Sequence, residues 1–286
     1  MTSRENPAVT DEKRQEAFGE ISASTASVTF GYEDDLFIQY LDLRTRWVVG
    51  KLGWLTKEDV DGYDVNRNTI FVGQVEKNDD DEDTLLAGMR ISKINKFAES
   101  LSIDIWNSVI GNETEVLDED VLKLVTYDNG GFLEALSEGR VYDITRAFVD
   151  SERIVNGSST LSEGLDQIRS TFANMFGYAT GRVNIQEGVE SVADLNTDNI
   201  YWLFTTTGSF LSILDTCGIE FDVLGEEPLP KRKDNKTTLA VVNMREAQQQ
   251  ILDIADEFNY GFETPRERRR HQTAQLVAKQ MIASAS

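Results

Sequence analysis

Residues 141–150, VYDITRAFVD, read as a strand and constrain the fold more than any other segment. In a regular strand side chains alternate, which puts Val141, Asp143, Thr145, Ala147 and Val149 on one face and Tyr142, Ile144, Arg146 and Phe148 on the other. Both sets are mainly apolar, so the strand is expected to be buried. An unpaired charge in such a place costs several kcal/mol. Asp143 and Arg146 therefore each need a partner or a ligand, and a β-bulge would turn both toward one cleft.

The elements around it follow a definite order. SVTFGYED at 27–34 suits a first strand, and a helix with its apolar period in Leu36, Tyr40, Leu43 and Trp47 starts at Asp35. TIFVGQVEK and LLAGMRISKI are strands joined by the acidic hairpin loop NDDDEDT. Residues 95–139 carry helical patches but no sharp strand and read as an insertion or lid. The amphipathic LSEGLDQIRSTFANMFGYATG is a helix ending at glycines, NIYWLFTTTG a strand, SFLSILDTCG a short helix, and EFDVLGEE and TTLAVVNM two more strands. Residues 1–23 read as a disordered tail, 24–245 as the main domain and 246–286 as a helical extension. This order predicts an α/β (α+β) fold, a mixed central sheet flanked by helices on both faces.

Composition narrows the function. The formal net charge of −22 opposes binding to nucleic acid or an anionic membrane. No apolar run approaches the roughly 18 residues of a membrane span, and the first residues lack the apolar core of a signal peptide, so the chain reads as soluble and cytoplasmic. With one cysteine, Cys217, and one histidine, His271, neither an internal disulfide nor a Cys/His metal cluster can form. Metal binding would have to use carboxylates. Cys217 reads as a buried apolar residue and His271 as a solvent-facing one.

The element order is shared by the GNAT-type N-acyltransferases, although no clear copy of their Arg/Gln-x-x-Gly-x-Gly/Ala loop follows the fourth strand. Four stretches are more specific together: LRTRWVVGKLGW with Arg44 and Trp54, DGYD with Asp61 and Asp64, AGMRIS with Arg90, and DITRAFVD with Asp143 and Arg146. Their order and spacing resemble the acyl-homoserine-lactone synthases, the LuxI-type autoinducer synthases, which share the GNAT-like fold. The resemblance runs from about Val28 to Glu227. Asp143 stands where that family has Glu, one methylene longer, so any direct proton transfer would need a bridging water. Val48 stands where an aromatic residue is usual, with Trp47 beside it.

The resemblance implies synthesis of an N-acyl-homoserine lactone, a quorum-sensing signal, from S-adenosylmethionine and an acyl thioester on acyl-carrier protein or coenzyme A, with no cofactor or metal. It makes Asp143 the base beside Arg146. Asp61 and Asp64 then suit the cationic end of S-adenosylmethionine, and Arg44, Arg90 and Arg146 suit its carboxylate or order the loop by ion pairs. Trp54, Thr145, Phe148, Met175, Phe176 and Phe204 are the further candidates for lining the substrate sites. Structural readings stay open beside these. Arg44 can be an ion-pair arginine and Trp54 a core aromatic, Asp61 and Asp64 can cap turns around Gly62, and Arg90 can pair with either of them. Two other functions also stay open: acylation of a different amine without lactone formation, and an acidic interaction module without catalysis.

An acidic carrier protein would be repelled by a chain of this charge unless a basic patch offsets the field. KRKDNK at 231–236 lies nearest the expected mouth of the acyl site, which makes Lys231, Arg232 and Lys233 the expected docking residues; RERRRH at 266–271 falls outside the resemblance. Reversing all three to glutamate is expected to raise KM for a carrier-bound donor, most at low salt, and to leave KM for S-adenosylmethionine unchanged, as steady-state kinetics at two ionic strengths will show.

Overall fold

A computed structural model describes residues 25–47, 61–77, 83–111, 117–186, 200–216, 219–229 and 232–244. The expected tail at 1–23, the helical extension at 246–286, Val48, Trp54, Cys217, Lys231 and His271 lie outside these residues. Seven strands form one sheet in the order β1-β2-β3-β4-β5-β7-β6. They are β1 (Thr25–Phe30), β2 (Thr69–Glu76), β3 (Thr84–Ile94), β4 (Val141–Val149), β5 (Tyr201–Thr207), β6 (Asp222–Leu229) and β7 (Arg232–Asn243). Every neighbouring pair is antiparallel except β4 and β5. This is the mixed central sheet that the element order implies. No helix among the described residues is long and apolar enough to cross a membrane.

Helices cover both faces, as the two-sided apolar pattern of β4 requires. On one face lie α6 (Leu161–Gln186) and α7 (Gly208–Thr216), following the short α5 (Ser151–Gly157). Met175, Phe176, Tyr178 and Ala179 of α6 and Phe210, Leu211 and Leu214 of α7 pack on Met89, Ile91, Tyr142, Ile144, Trp202 and Phe204. The opposite face carries two separate helical packs. Helix α1 (Asp35–Thr45) sets Phe37, Tyr40 and Leu43 against Phe30, Phe71, Leu85 and Phe148. Helices α2 (Leu101–Ile110), α3 (Glu119–Thr126) and α4 (Gly131–Ser137) set Ile103, Trp106, Val121, Leu124, Phe132 and Leu136 against Val141, Tyr201, Leu203 and Val241. The segment 95–139, read from sequence as an insertion or lid, thus supplies helices that form a core layer. Local signals fix its helix ends: the Ser100 hydroxyl accepts from Ile103 N at 3.2 Å, and Gly111 takes the left-handed conformation (φ 70°) that ends α2.

Two irregularities in the central strands shape the seam between those packs. Pairing of β4 with β5 covers only Val141↔Tyr201, Tyr142↔Trp202 and Asp143↔Leu203, after which the strands part. Against β3 the register shifts: Gly88 faces Phe148 and Arg90 faces Thr145, so Arg146 and Ala147 together oppose Met89. That is a β-bulge, and Arg146 takes the left-handed conformation (φ 55°), which costs a non-glycine residue roughly 1–2 kcal/mol.

Tyr40 holds the bulge from above. Its hydroxyl donates to the Arg146 carbonyl at 3.1 Å, and its ring sits among Phe30, Phe37, Phe71 and Phe148 at centroid distances of 5.3–6.0 Å. The ring lies so close to β3 that a Cβ on Gly88 would come within 2.6 Å of it. Gly88→Ala is therefore expected to cost about 1–3 kcal/mol by overpacking. A urea titration will show it as a lower midpoint with an unchanged slope.

Candidate active site

The seam collects the charged residues singled out in the sequence. Arg44 closes α1, Asp61 and Asp64 occupy the turn before β2, Arg90 lies on β3, and Asp143, Thr145 and Arg146 lie on β4. Their positions follow from chain geometry: Arg90 and Ser92 alternate with the core residues Met89 and Ile91, and the bulge adds Arg146 to the face that bears Asp143 and Thr145.

Asp64, 1% exposed, is the hub. Both of its oxygens accept from Arg44 Nη1 at 2.9 Å, Oδ1 accepts from Arg90 Nη1 at 2.6 Å, and Oδ2 accepts from the backbone N–H of Asp61 at 3.0 Å. Asp61 shapes the same turn. Its Oδ1 accepts from the backbone N–H groups of Tyr63 and Asp64 at 2.8 and 2.9 Å and from Arg90 Nη1 at 2.9 Å. The turn-capping and ion-pair readings of these residues are thus part of the geometry. With Arg44 and Arg90 both fully buried against Asp64, their charges brace the loop. Arg90 Nε also donates to Thr145 Oγ1 at 3.0 Å. Arg146 Nη2 lies 3.9 Å from Asp61 Oδ2, and the Asp61 side chain keeps 28% of its surface exposed.

Asp143 is in a different situation. It is 1% exposed and its Oδ2 accepts from the backbone N–H of Ser102 at 3.2 Å, in the first turn of α2. Burial pushes its pKa up from the usual 3.8 to about 6, against the opposing pull of the Ser102 hydroxyl and N–H groups and of the Arg90 charge. A carboxyl tuned in this way takes a proton readily near neutral pH, which suits a general base.

Sequence reasoning left three contributors aside. Ser102 braces Asp143. Tyr63 stacks under the Arg90 guanidinium at 5.5 Å and donates its hydroxyl to Asp104 on α2, closing the seam between the loop and the second helical pack. Thr205 on β5 donates to the Ser102 carbonyl at 2.7 Å. Tyr63 lies inside the DGYD motif, and Ser102 follows a helix N-cap serine, but neither position is marked as functional by spacing alone.

The candidate lining residues divide. Met175, Phe176 and Phe204 share one cluster, with Phe176 4.6 Å from Trp202 and Phe204 5.7 Å from Phe210. Phe148 packs instead in the α1 cluster on the other face. Of the docking run, Arg232 and Lys233 begin β7, which extends past the last β5 partner, Thr237↔Thr207, at the end of the sheet where β4 and β5 have parted. Lys236 pairs with Glu226 at 2.7 Å. Among the described residues no group of three or more His, Cys, Asp or Glu side chains is placed to hold a metal ion.

No family model and no curated protein matches the chain. Among solved structures it is similar to a coenzyme A-dependent acyl-homoserine lactone synthase, BjaI, with S-adenosylmethionine and isopentyl-coenzyme A: 15% identity, 87% of this chain and 99% of that one, TM-score 0.48. The acyl-homoserine lactone synthase LasI matches at 13% identity over 79% and 94% of the two chains, TM-score 0.48. TofI, in a ternary complex with an inhibitor and methylthioadenosine, matches at 12% over 81% and 96%, TM-score 0.45.

The Asp143 environment gives a signed pH dependence. The unfolded carboxyl ionises near 3.8 and the folded one near 6, so stability falls as pH rises across that interval and stays reduced above it. Asp143→Asn, which keeps the acceptor for Ser102 and removes the charge, is expected to stabilise the fold by about 2–3 kcal/mol at pH 7.5 and by nothing at pH 3.5. Chemical denaturation at the two pH values measures both.

Proposed function

We propose that this chain is an N-acyltransferase that makes N-acyl-homoserine lactone from S-adenosylmethionine and an acyl thioester in the cytoplasm. The observation that carries this reading is the pairing of a buried carboxylate near pKa 6 with a left-handed arginine on one bulged strand, at the point where β4 and β5 separate. A separation of this kind leaves β4 backbone N–H groups without ladder partners from β5. Strand N–H groups at the bulge hold the thioester carbonyl and the oxyanion that forms from it.

The chemistry needs those parts. The α-amine of S-adenosylmethionine, with an unperturbed pKa of about 8, must be neutral before it attacks the thioester carbonyl. Asp143 takes that proton. Arg146 faces the substrate carboxylate, while Asp61, the more exposed of the loop carboxylates, faces the cationic end; Arg44, Asp64 and Arg90 hold the loop that presents it. After N-acylation the carboxylate displaces the sulfonium from its own γ-carbon, releasing methylthioadenosine, and proximity favours the ring closure. Met175, Phe176 and Phe204 line the acyl side, with Arg232 and Lys233 at the same end of the sheet for a carrier-bound donor.

Purified protein given S-adenosylmethionine and acyl donors of both kinds is expected to release free thiol, methylthioadenosine and an acyl-homoserine lactone, detected by mass spectrometry. Thiol release with another amine and no methylthioadenosine would make it an acyltransferase without lactone formation, and no turnover with any donor would overturn the enzymatic reading. Arg146→Ala and Asp143→Asn are expected to abolish turnover while remaining folded.

A further inference from the structure

Asp143 is short for its task, one methylene shorter than the carboxylate that the resemblance places at this strand position. A second polar atom stands beside it. Ser102 is fully buried and bonded through its backbone to both diverging strands: its N–H donates to Asp143 Oδ2 on β4 at 3.2 Å, and its carbonyl accepts from Thr205 Oγ1 on β5 at 2.7 Å. The serine thus sits at the apex of the split, just past the last β4–β5 pair, Asp143↔Leu203. Its hydroxyl lies near enough to stabilise the ionised carboxyl. Yet Ser102 Oγ and Asp143 Oδ1 are both buried without a well-formed hydrogen bond. Two neighbouring oxygens at 0% and 1% exposure, paired only imperfectly with each other, are costly unless a third group completes them.

Resting on the function proposed above, we infer that the Ser102 hydroxyl relays the proton from the substrate amine to Asp143 and so supplies the missing reach. An N–H of the ammonium gives its proton to Ser102 Oγ as the Oγ proton passes to Asp143 Oδ1. The neutral amine then forms the C–N bond at the thioester carbon. As the tetrahedral adduct collapses, the C–S bond breaks and the second nitrogen proton leaves with the sulfur as a free thiol, while Asp143 returns its proton to solvent. The hydroxyl ends each cycle unchanged. Anchorage of the Ser102 backbone to both strands keeps Oγ in place while the strands on either side remain apart.

The test is a double-mutant cycle read in kcat and KM, with melting followed by circular dichroism. Ser102→Ala is expected to lower kcat by about 100-fold with KM for S-adenosylmethionine little changed. In the Asp143→Glu background, whose longer carboxylate reaches the amine directly, the same substitution is expected to cost less than about threefold. Ser102→Cys keeps the volume and the backbone bonds but hydrogen-bonds weakly, and takes the place of the alanine variant if that one does not fold. Equal losses in both backgrounds, no loss in the parent, or an inactive Asp143→Glu protein would each overturn the relay and leave Ser102 a structural staple. A parent protein that acylates nothing would overturn the proposed function and the relay with it.

Discussion

Everything around the seam depends on one carboxylate serving two arginines. Asp64 is withdrawn from water, and so are Arg44 and Arg90 on either side of it. Removing one member of such a group leaves the others charged and uncompensated in the interior, a loss of several kcal/mol, whereas the intact group adds little net stability of its own. Its value is positional. It ties the end of α1, the turn before β2 and the middle of β3 to one point, and the Asp61 carboxylate, the Tyr63 ring and the Thr145 hydroxyl take their places from it.

Two electrostatic regimes then lie side by side. In the loop, both oxygens of Asp64 and the Oδ1 of Asp61 are held by guanidinium and backbone donors. On β4, Asp143 meets the N–H groups and the serine hydroxyl of the first turn of α2 in a low-dielectric surround, and burial dominates its protonation. The division separates groups that hold shape from a group able to exchange protons. It arises because the loop lies against α1 and β3, which bring arginines, while Asp143 lies under the first turn of α2, which brings only N–H groups and hydroxyls.

Much of this was legible in the chain. The two-sided apolar pattern of 141–150 marks a covered strand, and the misfit of Asp143 and Arg146 within it marks the site, since nothing in strand packing asks for them. Arg44, Asp61, Asp64 and Arg90 were legible through the resemblance, with ion pairing and turn capping open beside it. Harder to read was the layer at 95–139: its helices run 7 to 10 residues each, too short to show a firm period, and their apolar faces acquire meaning only against Val141, Tyr201 and Leu203. Ser102 was hidden for a related reason. A serine two residues inside a helix is ordinary locally, and its importance comes from two strands that are distant in sequence. A basic run such as 231–236 is usually a solvated loop or helix face, whereas here β7 begins at Arg232 and pairs with β6.

Arg146 sets the backbone and the side chain against each other. The left-handed conformation at that position is cheap for Gly, Asn or Asp, and none of these carries positive charge. Any replacement that relaxes the strand removes the guanidinium, and any that keeps a cation keeps the strain. A search for thermostable variants would therefore be drawn to this residue and, on the function proposed above, would gain heat resistance there while losing turnover.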